Sequence, residues 1–84
     1  MNVITEDQAK DNIAANLQRL LEARNWSQSD LARATGDAHV TISRIVRGTN
    51  VAGVALLARI AEALDVTIDG LIRPPASRPS KKSA

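Results

Sequence analysis

The sequence has no cysteine, tyrosine or phenylalanine, and only one tryptophan, one methionine and one histidine. Without cysteine there is no disulfide framework, no thiolate nucleophile and no cysteine-based zinc site. No apolar run approaches the roughly 18 residues that a membrane span needs. The opening MNVITEDQAK lacks the basic-then-apolar pattern of an export signal, so the cytoplasm is the expected location. The raw material for catalysis is equally thin. The carboxylates fall mostly at helix starts or on exposed faces, with no nucleophile-and-base pairing, no metal-ligand cluster and no phosphate-cradling glycine loop. This composition argues against an enzyme and calls for neither metal nor cofactor.

Eighty-four residues allow one domain, near the size at which a core is only just adequate. The net charge of +2 hides an asymmetry. Residues 1–72 carry seven basic and nine acidic side chains, whereas residues 73–84, RPPASRPSKKSA, carry four basic side chains and no acid. Global charge therefore says little about a polyanionic partner, and position must carry that argument. The last twelve residues hold no large apolar side chain and are rich in Pro, Ser and Lys, the composition of a disordered tail. That tail reads as a solubilising end or linker, or as a flexible arm adding nonspecific phosphate attraction.

The rest is helical in pattern, with no strand or hairpin signal. Ile13, Leu17, Leu20 and Leu21 form one stripe of a first helix that starts at Thr5, in the capping pattern Thr5-Glu6-Asp7-Gln8, or only at Asp11. Asn25 closes it, and Trp26 reads as a core anchor where two helices meet. Ser27-Gln28-Ser29-Asp30 caps a second helix that stops at Gly36. A third begins at Asp37 or Ala38 and ends near Arg47, with Gly48 after it. A fourth spans 53–64, with Val54, Leu57, Ala61 and Leu64 on one side. Thr67 caps a short fifth carrying Ile68, Leu71 and Ile72, and Pro74-Pro75 ends regular structure.

On a helical wheel, Ile42, Ile45 and Val46 of the third helix occupy a narrow arc that must face the core. Opposite them lie Val40, Arg44 and Arg47, with Asp37 near the start, Thr41 and Ser43 on the flanks and His39 at the N-terminal end. A plain solvated face would favour better helix formers such as Glu, Lys and Gln. A DNA major groove explains the choice. It admits one helix and presents guanine N7 and O6 acceptors beside thymine methyl groups. Arg44 can donate a bidentate pair to guanine, Val40 and the Thr41 methyl can meet a thymine methyl, and His39 can reach a base edge or a phosphate. Gln28, at the start of the second helix, can meet a phosphate with help from free backbone N–H groups. The plainer alternatives are a surface arginine at 44, a solvent-facing histidine at 39 and a water-bound glutamine at 28. Arg19, Arg24, Arg33 and Arg59 read as solvated-face charges.

The run SQSDLARATGDAHVTISRIVRG, preceded by NLQRLLEARNW and followed by LLARIAEALDVTIDGLI, resembles the lambda-repressor-like (Cro/cI-type) helix-turn-helix domains. The resemblance covers residues 12–72 through Gln28, Leu31-Ala32, Gly36, Ile42-Ser43, Gly48, the Ala61-x-x-Leu64 spacing and a short last helix. It implies a compact all-α fold of five helices in which the second and third form the reading unit. It implies base contacts from His39, Val40, Thr41 and Arg44, and phosphate contacts from Gln28, Ser43, Arg47, Thr49 and Asn50. The expected organisation is an extension or early first helix over 1–11, the helix-turn-helix domain over 12–72 and the basic tail over 73–84. Members of the family commonly pair an Arg in helix 1 with a Glu at the end of helix 3; here those positions are Leu21 and Val46. Exchanging both partners for packed hydrophobes can be neutral or stabilising, so the double change predicts that Leu21 and Val46 meet in the core. Val51 stands where the family often has proline, which leaves the shape of that loop open.

The expected function is a sequence-specific regulator of transcription, a repressor binding double-stranded DNA at a palindromic operator as a homodimer. Helix 5 is the expected dimer surface, and nucleoid association follows from DNA binding. Two other roles fit the same residues: an antitoxin that represses its own operon while binding a toxin, or a protein-interaction module on this fold.

Overall fold

The computed structural model describes residues 4–75; residues 76–84, most of the expected tail, lie outside the described residues. Those described form five helices: α1 Glu6–Arg24, α2 Gln28–Thr35, α3 His39–Val46, α4 Val54–Leu64 and α5 Ile68–Ile72. The helix starts are written in side-chain chemistry. Thr5 accepts from the Gln8 N–H at 3.1 Å while Gln8 Oε1 accepts from the Thr5 N–H at 3.0 Å. This reciprocal pair decides the open boundary of the first helix in favour of Thr5. Ser27 and Asp30 repeat the device at 3.1 and 2.8 Å. Ser27→Ala, which removes one acceptor of that pair, is expected to lower unfolding free energy by about 1 kcal/mol. Urea denaturation checks this through a shifted midpoint at unchanged slope.

The ends follow the left-handed conformation. Gly36 and Gly48 have φ of 79° and 77°, and Asn25 and Asp65 adopt the same region at 59° and 58°. At Gly48 an added Cβ would come into contact with α1, 3.4 Å from Ala14 Cβ, so it is the positive φ that favours glycine there. The third helix is shorter than its pattern suggested: Ala38 is its N-cap and Arg47 its C-cap.

Eight residues cannot sustain a helix in water alone. α3 is held by Ile42, Ile45 and Val46, all buried, against a core built from Ile13, Leu17 and Leu21 of α1, Leu31 of α2, Leu57, Ile60 and Leu64 of α4, and Leu71 of α5. Fully burying one such side chain contributes about 1.5–3 kcal/mol, so Ile42 anchors α3 more strongly than any local preference of its sequence. Leu21 and Val46, 5% and 3% exposed, both lie in this one apolar cluster.

Two expectations need correction. Val54 does not face the core; it is 76% exposed. It opens α4 and stays in solvent, whereas Leu57 and Ala61 on the same side are buried. Trp26 is only half-buried, packed on the edge of the core with the Arg24 guanidinium carbon 5.7 Å from its ring centroid. In α5 the division between core and surface that the sequence left open is now drawn: Leu71 is wholly buried, and Ile68 and Ile72 are half-buried against the core.

α1 does more than present a stripe. Its polar side chains satisfy carbonyl groups at the C-terminal ends of three other helices, groups that a helix leaves without internal partners. Asn16, 1% exposed, donates through Nδ2 to the carbonyls of Leu71 (2.7 Å) and Arg73 (2.8 Å), and Asn12 donates to that of Ile72 (2.9 Å). Gln18 donates to the Val46 carbonyl at 2.8 Å, and Arg24 to that of Leu64. Five-residue α5 and eight-residue α3 are therefore pinned at their ends as well as along their apolar faces.

Candidate nucleic-acid interface

With Ile42, Ile45 and Val46 turned inward, the opposite side of α3 is fixed facing out. His39, Val40, Arg44 and Arg47 are exposed, and Thr41 and Ser43 are half-buried on the flanks. Val40 is 53% exposed, a branched apolar side chain left in water by the fold. Thr49 and Asn50, just past α3, are exposed too, while Gln28 is half-buried in the first turn of α2.

The cations on this molecule divide sharply. Lys10 pairs with Asp7, Arg33 with Asp30 and Arg73 with Asp69. Arg19 donates to Asn16 Oδ1, Arg24 to a carbonyl, and Arg47 Nε to the Ser43 carbonyl at 3.4 Å. Arg59 grips Asp37 through two parallel hydrogen bonds of 2.9 and 3.1 Å. Among the described residues Arg44 is then the one Lys or Arg side chain with no polar protein partner. Its five N–H donors are presented to solvent from the centre of the outward face.

Arg19, Arg24, Arg33 and Arg59 are thus not merely solvated charges, because each has a specific acceptor. The hydrogen bonds from Arg59 are the main reason that the Asp37 carboxyl sits below its usual range, and the Arg59 guanidinium is shifted up in turn. Asp30 is also held low, first by the Ser27 backbone N–H. Thr49 is less available than its sequence position suggests. Its hydroxyl donates to the Arg44 carbonyl at 3.1 Å, and its N–H points to the same oxygen at 3.0 Å. A phosphate reaching that hydroxyl must displace the first bond, while Asn50 carries no such tie among the described residues.

A surface groove runs between α2 and the first turn of α3, lined by Ser29, Ala32, Arg33, Gly36, Asp37 and His39. Neither Asp37–Arg59 nor the row of donors on α1 was visible along the chain. Asn16, a polar residue three positions after Ile13 on the apolar stripe, is the one that pattern alone could have flagged.

The helix-turn-helix family model HTH_3 matches residues 17–71, from the middle of α1 to Leu71 of α5. The chain belongs to the lambda-repressor-like helix-turn-helix family. Within the family it is 37% identical over 65 residues to the HTH-type transcriptional regulator SutR of Escherichia coli K12. That match takes in 77% of this chain but 36% of SutR, so the chain spans about a third of that relative's length. A hypothetical transcription factor, NHTF from Neisseria, superposes with a TM-score of 0.77 at 26% identity, over 88% of this chain and 83% of that one. An HTH_3 family transcriptional regulator from Vibrio cholerae superposes with a TM-score of 0.73 at 28% identity, over 80% and 38% of the two chains. In the family's terms α2 and α3 are the helix-turn-helix, joined at Gly36.

Proposed function

We propose that this chain is the DNA-binding unit of a sequence-specific transcriptional regulator, acting as a repressor that binds a palindromic operator as a homodimer. The observation that carries the reading is Arg44: an unpartnered guanidinium at the middle of an outward face whose other exposed members are His39, Val40 and Arg47. Family membership and the regulators it resembles support the same assignment. Arg44 reads guanine with a bidentate pair, His39 and Thr41 reach neighbouring base edges, and Val40 packs on a thymine methyl. Gln28, Ser43, Arg47, Thr49 and Asn50 hold the sugar-phosphate backbone and fix the register. A single module of this size sits at the small end of specific DNA interfaces, and a two-fold pair on half-sites about one helical turn apart supplies the remainder.

Titration of a duplex with the chain at several salt concentrations tests this. Affinity should fall linearly on a log–log scale, with a slope set by the number of phosphates neutralised. Arg47→Ala should weaken all duplexes alike and reduce that slope by about 1. A salt-independent affinity, or none, contradicts the proposal.

A further inference from the structure

Asp37 stands at an awkward place for a carboxylate. It lies two residues before His39, and both line the groove between α2 and the first turn of α3. If that surface meets DNA, an unscreened negative charge there faces a polyanion. Aspartate before a helix also often caps it, yet α3 has no side-chain cap; its N-cap is Ala38. The carboxylate is instead drawn toward α4. Arg59 Nε donates to Asp37 Oδ2 at 3.1 Å and Nη2 donates to Oδ1 at 2.9 Å. Such a fork is the strongest geometry available to this pair. Arg59 itself does not line that groove but a separate hollow, with Ala34, Thr35, Glu62 and Ala63. The Asp37 side chain is 19% exposed and that of Arg59 46%, so the anion is the better covered of the two.

We propose that Arg59 acts in DNA recognition through Asp37, by masking a carboxylate that would otherwise repel phosphate at the leading edge of α3. The inference rests on the proposed DNA-binding role of α3. Arg59 is about half exposed and bridges two short elements from the surface, so the pair's contribution to stability is modest and an effect on DNA need not be accompanied by a comparable one on folding. Arg59 is thereby a residue of the interface that makes no contact with the duplex.

Four proteins distinguish this from its rivals: the parent chain, Arg59→Ala, Asp37→Asn and the double variant. Each is titrated against a duplex selected by the parent, and its thermal midpoint is recorded. Arg59→Ala should bind about fivefold more weakly, the effect of one unscreened charge at close range. Asp37→Asn, which leaves a free cation, should bind as tightly as the parent or tighter. The double variant should recover the affinity lost by Arg59→Ala. Midpoints should differ little across the four. If Asp37→Asn weakens binding as much as Arg59→Ala, the pair acts by geometry and masking is overturned. If the double variant binds as weakly as Arg59→Ala, Arg59 touches phosphate directly and masking is again overturned. Equal binding by all four overturns only this inference, whereas a parent chain that selects no duplex overturns the proposed function and this inference together.

Discussion

Leu21→Arg alone is expected to lower unfolding free energy by about 3–5 kcal/mol, the cost of leaving one charge buried without its partner. Leu21 is 5% exposed among Leu17, Val46 and the other residues of the single core cluster, with no carboxylate in that cluster. The guanidinium must either desolvate there or pull α1 away from α3. For a domain of this size each kcal/mol shifts the melting midpoint by about 4–8 °C, so the midpoint should fall by at least about 12 °C. Leu21→Met, which roughly conserves volume, should cost less than about 1.5 kcal/mol and serves as the control. Adding Val46→Glu to Leu21→Arg restores the charged pair common in the family and should recover a substantial part of the loss. An unchanged midpoint in Leu21→Arg would contradict the expectation that Leu21 meets Val46, and the paired loss of charge would need another explanation.

Arg44→Ala is expected to cost about 1–3 kcal/mol against a selected operator and to relax preference at one base pair of each half-site. The loss belongs to recognition rather than to folding. Arg44 is exposed and its side chain makes no polar contact with the described residues, so truncating it leaves no buried group unpaired and the midpoint should hold. Substituting each base pair of the half-site in turn separates the two kinds of contact. The parent should discriminate strongly at the position read by Arg44, and the variant should be indifferent there while keeping its preferences elsewhere. Uniform weakening across all positions would instead make Arg44 a phosphate contact. Binding identical to the parent on every duplex would remove Arg44 from the interface.

Legibility in the sequence followed the range of the interaction. Caps act over three residues, and both capping boxes, the glycine at 36 and the threonine at 67 are where their spacing put them. The wheel acts over one helix, and it separated Ile42, Ile45 and Val46 from Val40 and Arg44 correctly. It failed at Val54 because periodicity assigns a side but not the length of the neighbour that covers it. What the pattern could not supply was polar contact across the fold. Asn16 reaches carbonyls 54 to 57 residues away, Gln18 one 28 away, and Arg59 a carboxylate 22 away. Among the described residues such ties occupy every Lys and Arg side chain but Arg44, a distinction that helix periodicity could not draw. Such partners depend on how helices cross, which composition and spacing do not encode.

The most direct test of the reading face is selection from a pool of random duplexes by the purified chain, with sequencing of what is retained. The expected result is an enriched two-fold-symmetric site whose half-sites lie about one helical turn apart, each containing a guanine whose substitution abolishes the Arg44-dependent part of the affinity. Retention of duplexes with no common sequence, or an enriched site equally favoured by Arg44→Ala, would contradict it.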